Sequence, residues 1–439
     1  MTASTSRSSS TVSQYDLYEQ QLDSPYVYLT RSGVEALKRF QYRGQDKSLI
    51  YQHVLSPLAQ FCVDRFVPPW MAPNTITLSG ACLMVSSYIL LAWYCPTFDS
   101  SAPGWIFAYS ASCMLIYQTL DNMDGKQARK TASSSPLGLL FDHGCDAFNC
   151  VIGITTWACA MGLETSSTQD SRILALLTIS AYTPFYMATW EEFHTGALIL
   201  PIFNGVTEGL LLGAALIFSS AIFGPQLWHH GTHWYDSYGF KYLLNIHPAF
   251  TNICQCLTLH DPSQASWRNC ECLMILTYLL LAQETILKLY TVIKDHGALL
   301  PLKRLVPFVT AVLCFLFIGK SSSIWHNQPR TSLLLSSMLF VEMATALMLH
   351  HMTLSEFRIS DRWVLLPLII MTVMLYLHPS ISTLLESFVP LYLTAMVVYS
   401  SMKITRVISE ISHALNIYCF DITTSRYAQP CIINGKKQN

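Results

Sequence analysis

Three features of this sequence predict an all-α integral membrane protein. Of its 439 residues, 51% are hydrophobic and only 12% charged, against roughly 25% charged in an ordinary soluble domain. Ten apolar runs are each long enough to cross a hydrocarbon core of about 30 Å. The Lys and Arg residues also gather in alternate segments between those runs. A net charge of −1 gives no hint of a nucleic-acid partner.

The chain begins with a Ser/Thr-rich stretch, TASTSRSSSTVS at 2–13, and residues 1–32 are expected to form a disordered tail. The basic, apolar and small-residue order of a signal peptide is not expected there. Residues 33–72 mix Lys and Arg with Leu, Phe, Tyr and Val, as in a segment lying along the membrane surface with its apolar side chains in the headgroups. Six runs follow, at 75–95, 104–121, 138–162, 173–190, 198–223 and 270–292, within a unit spanning 73–292. Four more, at 300–319, 331–350, 362–378 and 381–401, make up residues 293–402, the last pair split only by His378-Pro379-Ser380. A polar tail, 403–439, ends the sequence.

Basic residues set the orientation, because cytosolic loops retain them. With the N-terminus in the cytosol and ten crossings, the cytosolic segments hold 21 of the 26 Lys and Arg. Both termini are therefore expected in the cytosol, as is the link between the second and third spans.

That link is where the acids sit: Asp121-Asn-Met-Asp124-Gly125-Lys126-Gln-Ala128-Arg129, then eight residues, then Gly138-Leu-Leu-Phe-Asp142-His143-Gly-Cys-Asp146. Acids at a membrane boundary are costly and mark function. At about 100° per residue, Asp121, Asp124, Gly125 and Ala128 share one helical sector, and Asp142 and Asp146 share a face of the next helix. Two antiparallel helices thus aim four carboxylates at one point, where they repel unless a cation neutralises them. Oxygen ligands alone suit magnesium or manganese. Two such ions about 3.5–4 Å apart can clamp the entering and leaving oxygens of a phosphoryl centre. Gly125 and Ala128 leave room for a ligand to approach the helix backbone, Arg129 offers a fork of donors to phosphate, and Lys126 adds a mobile charge.

The pattern Asp121-x2-Asp124-Gly125-x2-Ala128-Arg129-x8-Gly138-x3-Asp142-x3-Asp146 resembles the signature of the CDP-alcohol phosphotransferases, with every motif position filled. Pro69-Trp70-Met71-Ala72-Pro73-Asn74-Thr75-Ile76-Thr77 resembles the entry to the first helix of the eukaryotic choline and ethanolamine phosphotransferases. Trp190-Glu191-Glu192-Phe193-His194-Thr195-Gly196 and Asn204-Gly205-Val206-Thr207-Glu208-Gly209 resemble fungal and protist members of that subfamily.

The resemblance implies a six-helix catalytic core plus four extra helices. Asp121, Asp124, Asp142 and Asp146 would hold two metal ions at the cytosolic face, and Asn74 would help seat the cytidine. CDP-choline or CDP-ethanolamine would donate its phosphoalcohol to diacylglycerol in the endoplasmic reticulum or Golgi membrane, with CMP as the other product and a homodimer as the assembly. Read from the residues alone, Asn74 is also a plausible helix cap.

An alcohol needs a base to take its proton as it attacks. Asp146 is one candidate, although metal binding would weaken it as a base. His143, on the same helix, is another, and in the subfamily a histidine at this position looks like the base. Glu208 is then the expected partner fixing its tautomer. His143 is equally suited to orienting a metal-bound carboxylate, and that alternative stays open.

Two other functions fit less well. Inositol transfer to CDP-diacylglycerol would use the same aspartates, but the segments at 69–77 and 190–209 point elsewhere. A metal- or proton-coupled transporter also buries acids, yet here they form one cluster without a second copy. Cys254, Cys256, Cys270 and Cys272 form a C-x-C…C-x-C pattern for which one or two disulfides are expected, with free thiols or zinc, aided by His229, His230 and His233, as alternatives. Glu284, Glu342 and Glu386 are expected to be hydrogen-bonded packing residues.

Overall fold

The computed structural model describes residues 25–99, 102–229, 240–260, 266–321 and 323–424. Two short helices, α1 (Arg31–Arg39) and α2 (Ser56–Phe66), precede the bundle. The first half of the bundle is built from α3 (Pro73–Tyr94), α4 (Gly104–Lys130), α5 (Pro136–Met161), α6 (Thr168–Thr195) and α7 (Leu210–Phe223). A surface helix, α8 (Pro248–Thr258), leads to α9 (Asn269–His296), α10 (Leu299–Ser321), α11 (Pro329–Met352), α12 (Leu366–Leu377) and α13 (Ser382–Leu415).

Among the described residues, eight helices are long and apolar enough to cross a membrane: α3, α5, α6, α7 with the preceding π turn Gly205–Gly209, α9, α10, α11 and α13. Two of the ten expected spans differ from this set. Helix α4 is 27 residues long, but Asp121, Asp124, Lys126, Arg129 and Lys130 crowd its last third. Helix α12 has only 12 residues and rises about 18 Å, well short of a hydrocarbon core of about 30 Å. The apolar run at 362–378 therefore folds as a shorter apolar helix than expected, entered through the 3-10 turn Trp363–Leu365.

The cause lies in Arg362. Its Nη1 meets Glu342 Oε1 at 2.8 Å, and Lys403 Nζ meets the same oxygen at 2.7 Å. Glu342 sits near the middle of α11, so the pair draws the chain into the bundle before α12 begins. Backbone without an α-helix is tolerated at such depth only inside protein, and Val364 and Leu365, 1% and 4% exposed, meet that condition.

Aromatic stacking joins the two halves of the bundle. Tyr182 of α6 stacks on Phe340 of α11, and Tyr186 of α6 on Phe308 of α10, both with ring centroids 4.2 Å apart. Such pairs add about 0.5–1.5 kcal/mol beyond the area they bury. Helices α10 and α11 are thus packed against α6 rather than appended to the first six spans.

The described chain ends meet at one end of the bundle. The amides of Val27 and Tyr28 donate to Glu410 at 2.9 Å each, and Leu29 is 1% exposed within a cluster containing Met352 and Ile411. Residues 25–32 therefore belong to the fold rather than to the expected disordered tail, and α13 carries helix well past residue 403. The Ser/Thr-rich segment at 2–13 lies outside the described residues.

Helix α2 packs Ala59 and Val63 against Ile76 and Met123 and leaves Leu58, Phe61 and Phe66 exposed. One feature is not helical. Gly44–Asp46 (β1) pairs in parallel with Leu198–Leu200 (β2), tying the N-terminal segment to the chain just beyond α6. Gly196, at φ 74°, ends α6 and starts that turn, a conformation glycine adopts without steric cost.

Candidate metal and nucleotide site

Helix α4 ends and α5 begins at the same end of the bundle, joined by a tight link. Pro136 at the first turn and Ser135 as cap, accepting from the Gly138 amide at 3.1 Å, start α5 directly after that link. This geometry brings the four predicted acids together. Carboxylate oxygens of Asp121, Asp124 and Asp142 lie within 4.8 Å of one another, and so do ligand atoms of Asp142, His143 and Asp146. The expected face of α4 is the one that turns inward. Beside that face Gln127 anchors the helix, its side-chain amide donating to the carbonyls of Pro68 and Met71 at 3.0 Å each.

The acids divide into two kinds. Asp124 accepts from the Thr77 hydroxyl, and Asp146 from the Tyr117 hydroxyl. Asp121 Oδ1 and Asp142 Oδ1 are buried and accept nothing. A buried carboxylate oxygen without a donor is costly, and no Lys or Arg among the described residues forms an ion pair with Asp121 or Asp142. A divalent cation is the group whose chemistry fits this donor set. Tyr117 was not singled out from the sequence, and Thr77 only as part of the segment at 69–77 that resembles the family, not as a partner of Asp124, though the signals were there. Thr77 closes the Pro-Asn-x-x-Thr element, and Tyr117 lies one turn before Asp121.

The neighbouring residues are placed as follows. Gly125 faces Arg129, since a Cβ at that position would lie 3.5 Å from the Arg129 guanidinium. Arg129 is exposed and forms no ion pair with a described residue. Lys126 Nζ donates to Ser56 Oγ of α2 at 2.9 Å, and Ala128 is half-buried on the same helix.

Asn74 corrects the expectation of a cap. Ala72 is the cap of α3, Pro73 holds the first position, and no side chain caps the helix. Asn74 instead donates to the Cys419 carbonyl at 2.8 Å, which lays the segment after α13 across the start of α3. Phe420 meets Phe141 edge-on at 5.4 Å.

His143 packs edge-on against Tyr42, with centroids 6.1 Å apart. The expected pair with Glu208 is not formed. Glu208 Oε1 accepts from the Ser48 hydroxyl and Oε2 from the Asn204 amide at 2.9 Å, so both oxygens are engaged elsewhere. Asp46 completes this latch by accepting from Thr207 Oγ1 at 2.8 Å and from the Ser48 amide at 2.8 Å. Glu208 thus fastens the start of α7 to the N-terminal segment.

The remaining candidates are structural. Glu342 is held by two cations, Glu386 accepts from Asn327 at 3.0 Å, and Glu284 lies 3.8 Å from Lys288. Cys254, Cys256, Cys270 and Cys272 are all free thiols, three of them buried, which overturns the expected disulfides. His229 contacts the carbonyls of Met161 and Gly162 at 3.0 Å. His230 and His233 lie outside the described residues.

Comparison with known proteins matches the part of the chain that carries these residues. A family model described as CDP-alcohol phosphatidyltransferase matches residues 70–210, which contain the four aspartates, His143 and Glu208. The chain is 33% identical over 411 residues to the Dictyostelium discoideum protein named "uncharacterized CDP-alcohol phosphatidyltransferase class-I family protein 3", a match covering 90% of this chain and 99% of that protein. It is 45% identical over 201 residues to choline/ethanolaminephosphotransferase 1 of Arabidopsis thaliana, covering 46% of this chain and 50% of the plant protein. The Saccharomyces cerevisiae protein of the same name is 37% identical over 204 residues, again about half of each chain. With its four acids gathered on α4 and α5 and a near full-length relative beside it, the chain belongs to the CDP-alcohol phosphatidyltransferase class-I family, a metal-dependent family of membrane transferases.

Proposed function

We propose that this protein transfers phosphocholine or phosphoethanolamine from CDP-choline or CDP-ethanolamine to 1,2-diacylglycerol, giving phosphatidylcholine or phosphatidylethanolamine and CMP. The observation that carries the reading is the pair of buried, unpartnered oxygens of Asp121 and Asp142 within a four-carboxylate cluster. Asp121, Asp124, Asp142 and Asp146 hold magnesium or manganese, two ions in all. Bound there, the ions neutralise the pyrophosphate and the departing CMP.

The protein's own residues do the rest. Thr77 and Tyr117 fix the rotamers of Asp124 and Asp146. Arg129 and Lys126 attract the nucleotide phosphates from the aqueous side, and Gly125 and Ala128 leave the α4 backbone open to it. Asn74 contacts the nucleotide at the start of α3 once it gives up the Cys419 carbonyl.

The diacylglycerol hydroxyl enters from the bilayer and attacks the phosphorus that bears the head group. The bond between that phosphorus and the bridging oxygen breaks, and CMP leaves with the oxygen. His143 receives the hydroxyl proton. Glu208 serves by position, holding the start of α7 beside the site.

Lys and Arg placement supports both termini and the site in the cytosol, and the exposed apolar face of α2 supports its lying among the headgroups. An endoplasmic reticulum or Golgi membrane and a homodimer complete the proposal. The test is one assay. Purified protein in lipid nanodiscs receives labelled CDP-choline, CDP-ethanolamine or CDP-diacylglycerol, each with its acceptor. Product from either of the first two supports the reading, and product from CDP-diacylglycerol with inositol alone replaces it.

A further inference from the structure

We propose that residues 416–424 form a strap that competes with the CDP-alcohol for Asn74. This rests on the transfer reaction proposed above and names a restraint on its nucleotide seat.

The chain turns back where α13 ends. Asn416, at φ 55°, takes the left-handed conformation, and the Ile417 amide donates to the Ser412 carbonyl at 3.0 Å. That reversal sends the next residues across the end of the bundle. Ile417 and Cys419 pack against the cluster that contains Leu137 and Leu140 of α5. Asp421 then closes the segment in a turn, accepting from the Thr423 amide at 2.8 Å and its hydroxyl at 2.7 Å.

Two contacts fasten the strap beside the site. Asn74 Nδ2 donates to the Cys419 carbonyl at 2.8 Å and lies 3.4 Å from the Cys419 sulfur. Phe420 meets Phe141 edge-on at 5.4 Å. Both anchors adjoin the acids. Asn74 is one turn before Thr77, whose hydroxyl donates to Asp124, and Phe141 immediately precedes Asp142. The strap thus bridges the starts of α3 and α5 at the end of the bundle that carries the carboxylates.

Asn74 is enclosed there, 7% exposed. A Cβ at Gly138 would lie 3.5 Å from Asn74 Oδ1, so the oxygen rests against α5 while the nitrogen is directed at Cys419. A nucleotide at the start of α3 reaches this amide only by displacing the strap. A hydrogen bond between neutral groups and an edge-on ring pair are each worth about 2–10-fold in an equilibrium. The strap is therefore a brake on nucleotide binding and not a block.

Two measurements in nanodiscs test this. The first is the rate of Cys419 alkylation in the full-length protein, read by mass spectrometry of its peptide. It is taken with and without saturating CDP-choline and magnesium, and with no diacylglycerol present. Displacement uncovers the thiol, so the ligand should speed alkylation about threefold or more. A strap that instead completed the seat would be protected, and slower or unchanged alkylation overturns the proposal. The second is kinetic. Phe420→Ala, and a chain ending at Asn416, should each lower the KM for CDP-choline about 3–10-fold while kcat changes little. The point variant decides the matter should the shorter chain fail to fold. If KM rises or stays the same in Phe420→Ala, the strap is wrong while the transfer reaction stands. If wild type turns over neither CDP-choline nor CDP-ethanolamine, the reaction itself is wrong and the strap falls with it.

Discussion

The Tyr117 hydroxyl donates to Oδ1 of Asp146 across the α4–α5 pair, just as Thr77 of α3 donates to Asp124. Two of the four acids are therefore oriented by neutral hydroxyls, and the other two, Asp121 and Asp142, keep buried oxygens free. Free and oriented carboxylates alternate along the sequence, and each kind makes a different prediction.

Asp121→Asn and Asp142→Asn should abolish turnover while expression and membrane insertion persist, because these oxygens serve the ions rather than the fold. Removing charge from a crowded cluster should also raise the melting temperature of the metal-free protein. Chelation of wild type should stop turnover, and magnesium or manganese should restore it. More than about a tenth of wild-type activity in either variant at saturating metal would refute the two-ion arrangement.

Tyr117→Phe and Thr77→Val should act on metal affinity instead. Groups that orient a ligand carboxylate typically contribute about 10–100-fold in affinity. The metal concentration for half-maximal rate should rise in that range, with a much smaller change in rate at saturation. A fall in saturating rate with no shift in the metal titration would contradict this role.

The acids were legible in the sequence because a charge at a membrane boundary has few explanations, and their helical spacing fixes which way they face. Tyr42, Ser48 and Asp46 were not, because each acts through a partner about 100 to 160 positions away and depends on a strand of three residues. Pattern reading has no handle on so short a pairing. The ninth span came out shorter than its hydropathy suggested for another reason. Hydropathy marked 362–378 as apolar, but it could not register that Arg362 is pulled inward to Glu342 and that helix starts only at Leu366. Asn74 was chosen as a cap by residue type, and the proline before it had already moved the cap to Ala72.

The Ser48–Glu208–Asn204 latch predicts where coupling lies. Ser48→Ala and Glu208→Gln should each destabilise the protein by about 1–3 kcal/mol, the cost of an unmade buried hydrogen bond. The double variant should be less destabilised than the sum of the two. Glu208→Gln combined with His143→Ala should instead be additive in activity, since those side chains do not touch. Strong coupling of His143 with Glu208 would revive the pair expected from the sequence.

Orientation is testable because the sequence has no Asn-x-Ser/Thr acceptor of its own. Acceptor sites engineered near residues 98, 168 and 325 should be glycosylated once they clear the membrane surface, and sites near 128 and 295 should not. Glycosylation near 128 would put the aspartates on the lumenal side, out of reach of a cytosolic nucleotide.

The last prediction separates base from positioning residue at His143. The structure places its ring among the ligand atoms of Asp142 and Asp146, which is compatible with either role, so the kinetics must divide them. A base acts on the proton of the attacking hydroxyl and contributes about 10²–10⁴-fold to the rate. His143→Ala should therefore lose kcat on that scale, while the half-saturating metal concentration and the CDP-alcohol KM move little. A residue that only orients a carboxylate would show the opposite, with metal or nucleotide binding weakened in proportion to the lost rate. His143→Gln sharpens the distinction, because its amide can still hydrogen-bond a carboxylate but cannot accept a proton at neutral pH. It should be as inactive as alanine if His143 is the base. If glutamine restores activity, His143 positions a carboxylate, and Asp146 is left as the proton acceptor.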